Sequence, residues 1–136
     1  MRVLFVCTEN AGRSQLAEHL FNARAGGRHR ARSAGTRPAS RVHPAVVAAL
    51  ARRGIDASAA RPKALTAELL EWADRVVTMG CGDQCPVTGK PTEDWNLPDV
   101  QGRSAEEVEE VARQVADRVT GLLREIGVPA GAGPPA

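Results

Sequence analysis

The stretch Val3-Leu4-Phe5-Val6-Cys7-Thr8-Glu9-Asn10-Ala11-Gly12-Arg13-Ser14 carries the clearest structural signal in the chain. It opens on a short apolar run, turns polar at Thr8, and passes into a segment where Leu16, Leu20 and Ala23 recur at helical core spacing. The pattern reads as a strand over Arg2–Val6, a tight loop, then a helix. Cys7 and Arg13 stand six positions apart across that loop, at the helix N-terminus. The backbone N–H groups of Thr8, Glu9, Asn10, Ala11 and Gly12 can form an anion nest, to which the helix dipole adds positive potential and Arg13 a two-pronged donor. A tetrahedral oxyanion suits such a cradle. The same potential favours thiolate over thiol, so Cys7 is expected to be a nucleophile. Ser14 is placed to donate to its sulfur, and Asn10 and Gly12 are expected to take left-handed backbone angles. A lone cysteine at a strand end is ordinarily a small buried hydrophobe, and a lone arginine is ordinarily solvated. The coincidence of strand, C-x5-R-S spacing and helix start argues for chemistry instead.

Beyond this loop, His29–Ala34 reads as a second strand closed by Gly35. Pro44 opens a helix through Val46, Val47, Leu50 and Ala51 that Gly54 ends. Thr66 caps a shorter helix running to Ala73, and Arg75–Met79 is a β-branched run suited to a buried parallel strand, with Gly80 after it. Gly80 to Arg103 is rich in Gly, Pro and Asp, interrupted by a candidate strand near Glu93–Trp95; loops of this length in small domains are often functional. Ser104 and Glu107 stand in capping-box spacing before a helix that presents Val108, Val111, Val115, Val119 and Leu122 on one face to about Ile126, and Gly127 and Pro129 stop it. Strands alternating with helices predict an α/β fold, a parallel sheet with helices on both faces and ligands at the carboxyl ends of the strands. Cys7 and Cys81 both fall there.

The 136 residues suit one domain over 1–128, and Pro129–Ala136, all Pro, Ala and Gly, reads as a disordered tail. A net charge of +2 without a polybasic or acidic run gives no reason to expect nucleic acid or a membrane surface as partner. No apolar run is long enough to span a bilayer and Met1–Val6 lacks the features of a signal peptide, so a cytoplasmic protein is expected. Three cysteines, an odd number, fit reactive thiols in a reducing compartment better than a disulfide framework.

Cys81 and Cys85 are four positions apart in the loop after the third strand. In a helical turn their Cα atoms would lie about 6 Å apart, within disulfide range. A reversible bridge ranks above inert thiols, and both above a metal site, for which two further ligands are missing. Asp99, in the loop Asp94-Trp95-Asn96-Leu97-Pro98-Asp99, is the candidate general acid, although a single loop aspartate is by default a solvated turn residue. His19, His29 and His43 do not cluster with the thiols in sequence and read as surface or capping residues.

Val3 to Arg13 with Ser14-Gln15-Leu16-Ala17-Glu18, then Ser33-Ala34-Gly35-Thr36, Gly54-Ile55-Asp56, Val76-Val77-Thr78-Met79 and Asp94 to Asp99, resemble the arsenate reductases built on the low-molecular-weight tyrosine phosphatase fold, over about residues 1 to 125. The resemblance implies a four-stranded parallel sheet flanked by helices, and reduction of arsenate to arsenite. It implies that Cys7 attacks arsenate held by the Thr8–Arg13 loop, with Asp99 as acid. It implies further that Cys81 then attacks the Cys7–arsenic adduct, and that Cys85 carries the oxidation outward as a Cys81–Cys85 disulfide presented to thioredoxin. Asn10, Glu18 and Ser33 match residues that hold a potassium ion in some relatives. Lys63 replaces an acidic partner there, so an ammonium in the cation's place is expected, with no metal or other cofactor. Three features depart from the family's pattern: the short interval between Cys81 and Cys85, Val100 where proline usually follows the acid, and Lys63.

Other functions share this loop. One is an arsenate transferase that uses Cys7 alone with mycothiol and mycoredoxin. Another is a phosphotyrosine phosphatase, disfavoured by the absence of any Tyr, by Gln15 where such enzymes typically carry proline, and by the idle Cys81 and Cys85. A third, of a different class, is a non-catalytic oxyanion-binding regulator.

Overall fold

Val3, Leu4, Phe5 and Val6 are completely buried, because the strand they form runs through the middle of the sheet with a neighbour on either side. The structure, a computed structural model, describes residues 1–86 and 88–128. The elements are β1 (Arg2–Cys7), α1 (Arg13–Arg24), β2 (Arg30–Gly35), α2 (Pro44–Ala51), α3 (Ala67–Trp72), β3 (Arg75–Thr78), a 3-10 turn at Gly82–Gln84, β4 (Thr92–Asp94) and α4 (Ala105–Glu125). The strands pair in the order β2-β1-β3-β4, and all three pairings are parallel. This is the parallel sheet expected from the alternation of strands and helices, with the four strands that the family resemblance implies. The tail expected at 129–136, and Pro129 as a helix stop, lie outside the described residues.

Alternate residues of β1 serve opposite faces, as a strand's period of two requires. Val3, Phe5 and Cys7 join Val77 and Met79 in the main core, beneath α1, α2 and α4. Phe5 sits at its centre, its ring 6.1 Å from that of Phe21 and 5.4 Å from that of Trp95. Leu4 and Val6 face the other way, into a smaller cluster with Ala34, Val76 and Cys81 that Leu65, Leu69, Leu70 and Trp72 cover. The cover is thin: α3 has six residues, none of them fully buried.

The caps explain the helix boundaries. Ser104 accepts from the Glu107 N–H and Glu107 reaches back to the Ser104 N–H, closing the capping box, and Thr66 accepts from the Leu69 N–H. Two expectations need correction. In α1 the buried set is Ser14, Gln15, Leu16, Ala17, Leu20 and Phe21, while Ala23 is only partly buried, because α4 and the sheet both press on this helix. Gly12 has φ −132°, not a left-handed angle. Glycine is needed there for space, since a Cβ would overlap Cγ2 of Val100.

Candidate active site

The Cys7–Arg13 loop at the carboxyl end of β1 takes its shape from the segment after β2. Backbone N–H groups of Thr36, Arg37, Ala39 and His43 bond in turn to the carbonyls of Cys7, Thr8, Glu9 and Ala11, at 2.8–3.1 Å. Turning these carbonyls outward leaves the loop's N–H edge to the interior of the turn, as an anion nest requires. Gly35 permits the close approach, because a Cβ there would come within 2.6 Å of the Thr8 carbonyl oxygen. Asn10 supplies the one non-glycine left-handed angle among the described residues, at φ 53°, as expected from its place in the loop. The resulting pocket is lined by Cys7, Thr8, Glu9, Ala11, Gly12, Arg13, His43 and Asp99.

Cys7 is 3% exposed, and its sulfur receives the Asn10 backbone N–H at 3.2 Å, with the Ser14 hydroxyl at 2.8 Å. The network behind the second bond keeps the Ser14 proton available for it. The Lys63 backbone N–H can only donate, and it meets Asn10 Oδ1 at 2.9 Å, which fixes the orientation of the Asn10 amide. Asn10 Nδ2 must then donate to Ser14 Oγ, at 2.7 Å, which leaves the single Ser14 proton for Cys7 whenever the sulfur is a thiolate, a form that can only accept. Gln15 Nε2 donates to the same Asn10 Oδ1 and to the Arg61 carbonyl, leaving its Oε1 to accept from His19 Nε2 at 3.2 Å. Asn10, Ser14 and Gln15 are all fully buried. Two donors converging on one sulfur are what a nucleophilic thiolate needs.

Arg13 is held across the mouth of the loop. Its Nη1 donates to the Leu97 carbonyl at 3.0 Å, and its Nη2 stands 3.9 Å from Asp99 Oδ1. Gly80, at φ 82°, makes room, since any Cβ there would collide with the guanidinium. Asp99 Oδ1 also accepts the N–H of Val100 at 2.7 Å and of Gln101 at 3.3 Å, so its Oδ2 is the oxygen left for a ligand. Val100, standing where the family's proline is usual, contributes an N–H that proline would lack.

Cys81 and Cys85 flank the 3-10 turn as a disulfide with Cα atoms 5.0 Å apart, while Cys7 is free. Cys81 is buried in the smaller cluster, directly beyond β3, the strand beside β1. At the expected cation position the Lys63 ammonium lies 3.6 Å from Glu18 Oε1, which also accepts from Ser33 Oγ at 2.8 Å. Asn10 is not part of that contact, because its side chain is committed to the Lys63 backbone.

Several contributors were not visible in the sequence. His43 lines the pocket, although it read as a surface or capping residue; it does occupy the N-cap position of α2, but its side chain makes no capping bond. His19 is neither surface nor cap: its side chain is 19% exposed and bonds to Gln15. Burial holds its pKa below the ordinary histidine value, against the opposing pull of Glu18. The available signal was position, since His43 falls on the connection leaving the carboxyl end of a parallel strand.

A free, doubly hydrogen-bonded thiol in a pocket-lining loop, with a disulfide pair beyond the neighbouring strand, marks a cysteine site at the carboxyl end of a parallel α/β sheet. The chain belongs to the low molecular weight phosphotyrosine protein phosphatase family, whose model matches residues 2–129. It is 36% identical to a glutaredoxin arsenate reductase of Synechocystis over 92% of this chain and 98% of that one. A thioredoxin-dependent arsenate reductase of Corynebacterium glutamicum superposes with a TM-score of 0.80 at 41% identity, covering 92% of this chain; the chain spans 61% of that protein's length. A low molecular weight protein tyrosine phosphatase from T. tengcongensis matches with a TM-score of 0.84 at 30% identity, over 92% of this chain and 99% of that one. Among the described residues no helix is long and apolar enough to cross a membrane.

Proposed function

We propose that the protein reduces arsenate to arsenite through a relay of Cys7, Cys81 and Cys85, with a thioredoxin-class dithiol as final reductant. The observation that carries the reading is the pairing of a free, doubly hydrogen-bonded Cys7 with a Cys81–Cys85 disulfide beyond the adjacent strand. That is the state a completed turnover leaves behind.

The Thr8–Arg13 loop and the Arg13 side chain bind arsenate, and the Cys7 thiolate attacks arsenic. One oxygen leaves as water on receiving a proton from Asp99, whose Oδ2 is left over by the Oδ1 bonds to Val100 and Gln101. The Cys81 thiolate then attacks the Cys7 sulfur. The sulfur–arsenic electron pair stays with arsenic, which falls from As(V) to As(III), and a Cys7–Cys81 disulfide forms as arsenite departs. Attack by Cys85 on Cys81 frees the Cys7 thiolate and leaves the Cys81–Cys85 disulfide for an external dithiol to reduce. Two thiols lose the two electrons that arsenic gains. The relatives named as arsenate reductases support this substrate, and the internal resolving pair supports a dithiol partner over mycothiol.

The test is arsenite release by the wild type and by Cys7→Ser, Cys81→Ser and Cys85→Ser. Thioredoxin with its reductase, and mycothiol with mycoredoxin, are supplied in separate assays. Thioredoxin-driven turnover that each substitution abolishes is the expected result. Turnover with mycothiol alone that survives loss of Cys81 and Cys85 would make the protein a thiol transferase. Release with neither reductant, together with hydrolysis of a phosphotyrosine peptide, would make it a phosphatase.

A further inference from the structure

We propose that His43 is a substrate-contacting residue of this site, its ring N–H donating a hydrogen bond to an oxygen of the bound arsenate that the Cys7–Arg13 nest does not enclose. This deepens the proposed function and rests on the pocket's taking an oxyanion.

His43 is one of five residues lining the pocket whose side chains can carry charge, with Cys7, Glu9, Arg13 and Asp99. Its place is fixed by the backbone. Its N–H bonds to the Ala11 carbonyl at 3.0 Å, its own carbonyl accepts the first N–H groups of α2, and Val42 before it is buried. Pro44 at the helix start restricts the chain further. The ring therefore stands against the loop itself: its Cδ2 is 3.6 Å from where a Gly12 Cβ would be. Yet the ring serves neither helix nor loop, since it makes no capping bond, and among the described residues neither ring nitrogen has a protein partner. A positioned, half-buried imidazole with unspent nitrogens at the edge of an anion pocket is suited to bind what enters the pocket.

Charge points the same way. Arg13 is the one Arg or Lys of the lining, which also holds the Glu9 and Asp99 carboxyl groups and the Cys7 sulfur. Part of its donor fork is already engaged, on the Leu97 carbonyl and toward Asp99. An arsenate or phosphate anion entering there meets a single guanidinium, beside the acidic side chain of Glu9 and the Cys7 sulfur, once the backbone nest is filled. An imidazole relieves this as an N–H donor in either tautomer.

The probes are arsenate and inorganic phosphate, titrated calorimetrically into Cys7→Ser, which cannot turn over, and into Cys7→Ser combined with His43→Ala or with His43→Gln. The alanine variant is expected to bind both anions roughly 10- to 100-fold more weakly, the range for one hydrogen bond to a charged group. The glutamine, which keeps an N–H donor, should recover part of that loss, with the melting temperature unchanged in both. In otherwise intact enzyme, His43→Ala should raise KM for arsenate more than it lowers kcat. Equal affinity in the alanine variant, or a loss that the glutamine does not relieve at all, would overturn the proposal. If Cys7→Ser itself binds neither anion, the oxyanion reading of the pocket fails and the proposal falls with it.

Discussion

Asn10→Asp exchanges one NH2 for one oxygen, and the direction of each hydrogen bond around Asn10 determines its effect on Cys7. The new carboxylate keeps the two donors that Asn10 Oδ1 now accepts, the Lys63 N–H and Gln15 Nε2, and aspartate tolerates the left-handed angle at this position. The Ser14 hydroxyl, which now receives Nδ2 at 2.7 Å, would donate to the carboxylate instead and present only lone pairs to Cys7. Three donors keep that carboxylate ionised. The thiolate thus loses a hydrogen bond worth about 1.5–3 kcal/mol. It also gains a negative neighbour no further off than the two bonds of 2.7 and 2.8 Å laid end to end, a repulsion of about 3 kcal/mol at an effective dielectric constant of about 20. Together these disfavour thiolate against thiol by roughly 4 to 6 kcal/mol. Because a more basic thiolate is intrinsically more nucleophilic, with a Brønsted slope of about 0.4–0.5, the net loss of rate, read at a pH acid enough that the thiol form dominates in both proteins, is roughly 30- to 400-fold. Alkylation by iodoacetamide measures it directly, since with Cys81 and Cys85 bridged Cys7 is the free thiol. A folded variant alkylated within about threefold of the wild-type rate would refute the assigned direction of the Ser14 bond.

Gly12→Ala should lose about 1–3 kcal/mol in urea unfolding, because its Cβ must displace Val100, and much of that should return in combination with Val100→Ala. His19 has a folded-state pKa below its unfolded value, so the unfolded chain binds its proton first. Stability is therefore lost as pH falls below about 6.5, and His19→Gln should flatten the decline of the urea midpoint between neutral and mildly acid pH. An equally steep decline in that variant would assign the acid sensitivity elsewhere. Ser104→Ala removes the side-chain half of the capping box that accepts the Glu107 N–H and should lower the melting temperature by a few degrees.

The elements were legible wherever their causes are local. The apolar run of β1, the β-branched β3, Thr66 and the Ser104–Glu107 box each act within a few residues, and the structure places them as the sequence suggests. The spacing of Cys81 and Cys85 likewise contains its own outcome, since one tight turn brings the thiols together. What stayed hidden depends on distant partners. Gly12 looked like a turn glycine, but Val100 decides why it must be glycine. His43 looked like a cap because nothing near it in sequence shows that residues 36–43 lace onto the Cys7 loop. Gln15 looked like a departure from a phosphatase pattern. In the fold it holds Asn10 and ties the loop to the Arg61 carbonyl.

The division of the two thiol sites between the two faces of the sheet bears on how a relay would work. Cys7 belongs to the main core under three helices, where its hydrogen bonds are shielded and fixed. Cys81 and Cys85 belong to the smaller cluster under α3, where the least apolar cover must be disturbed for a sulfur to change partners or meet another protein. The segment carrying them is pinned at both ends. The Met79 N–H bonds to the Val6 carbonyl at 2.7 Å, and the Lys90 ammonium rests on the carbonyls of Leu70, Glu71 and Ala73 at the end of α3. Between these anchors Gly80 and Gly82 adopt left-handed angles, at φ 82° and 58°, that other residues resist. A shift of Cys81 toward Cys7 would begin at Gly80, which packs against the Arg13 guanidinium and accepts the Thr8 hydroxyl at 3.1 Å, so the disulfide segment and the Cys7 loop are in direct contact where a relay would need them to be. Disulfide exchange would then need a rearrangement on the weakly covered face that starts beside the loop holding Cys7.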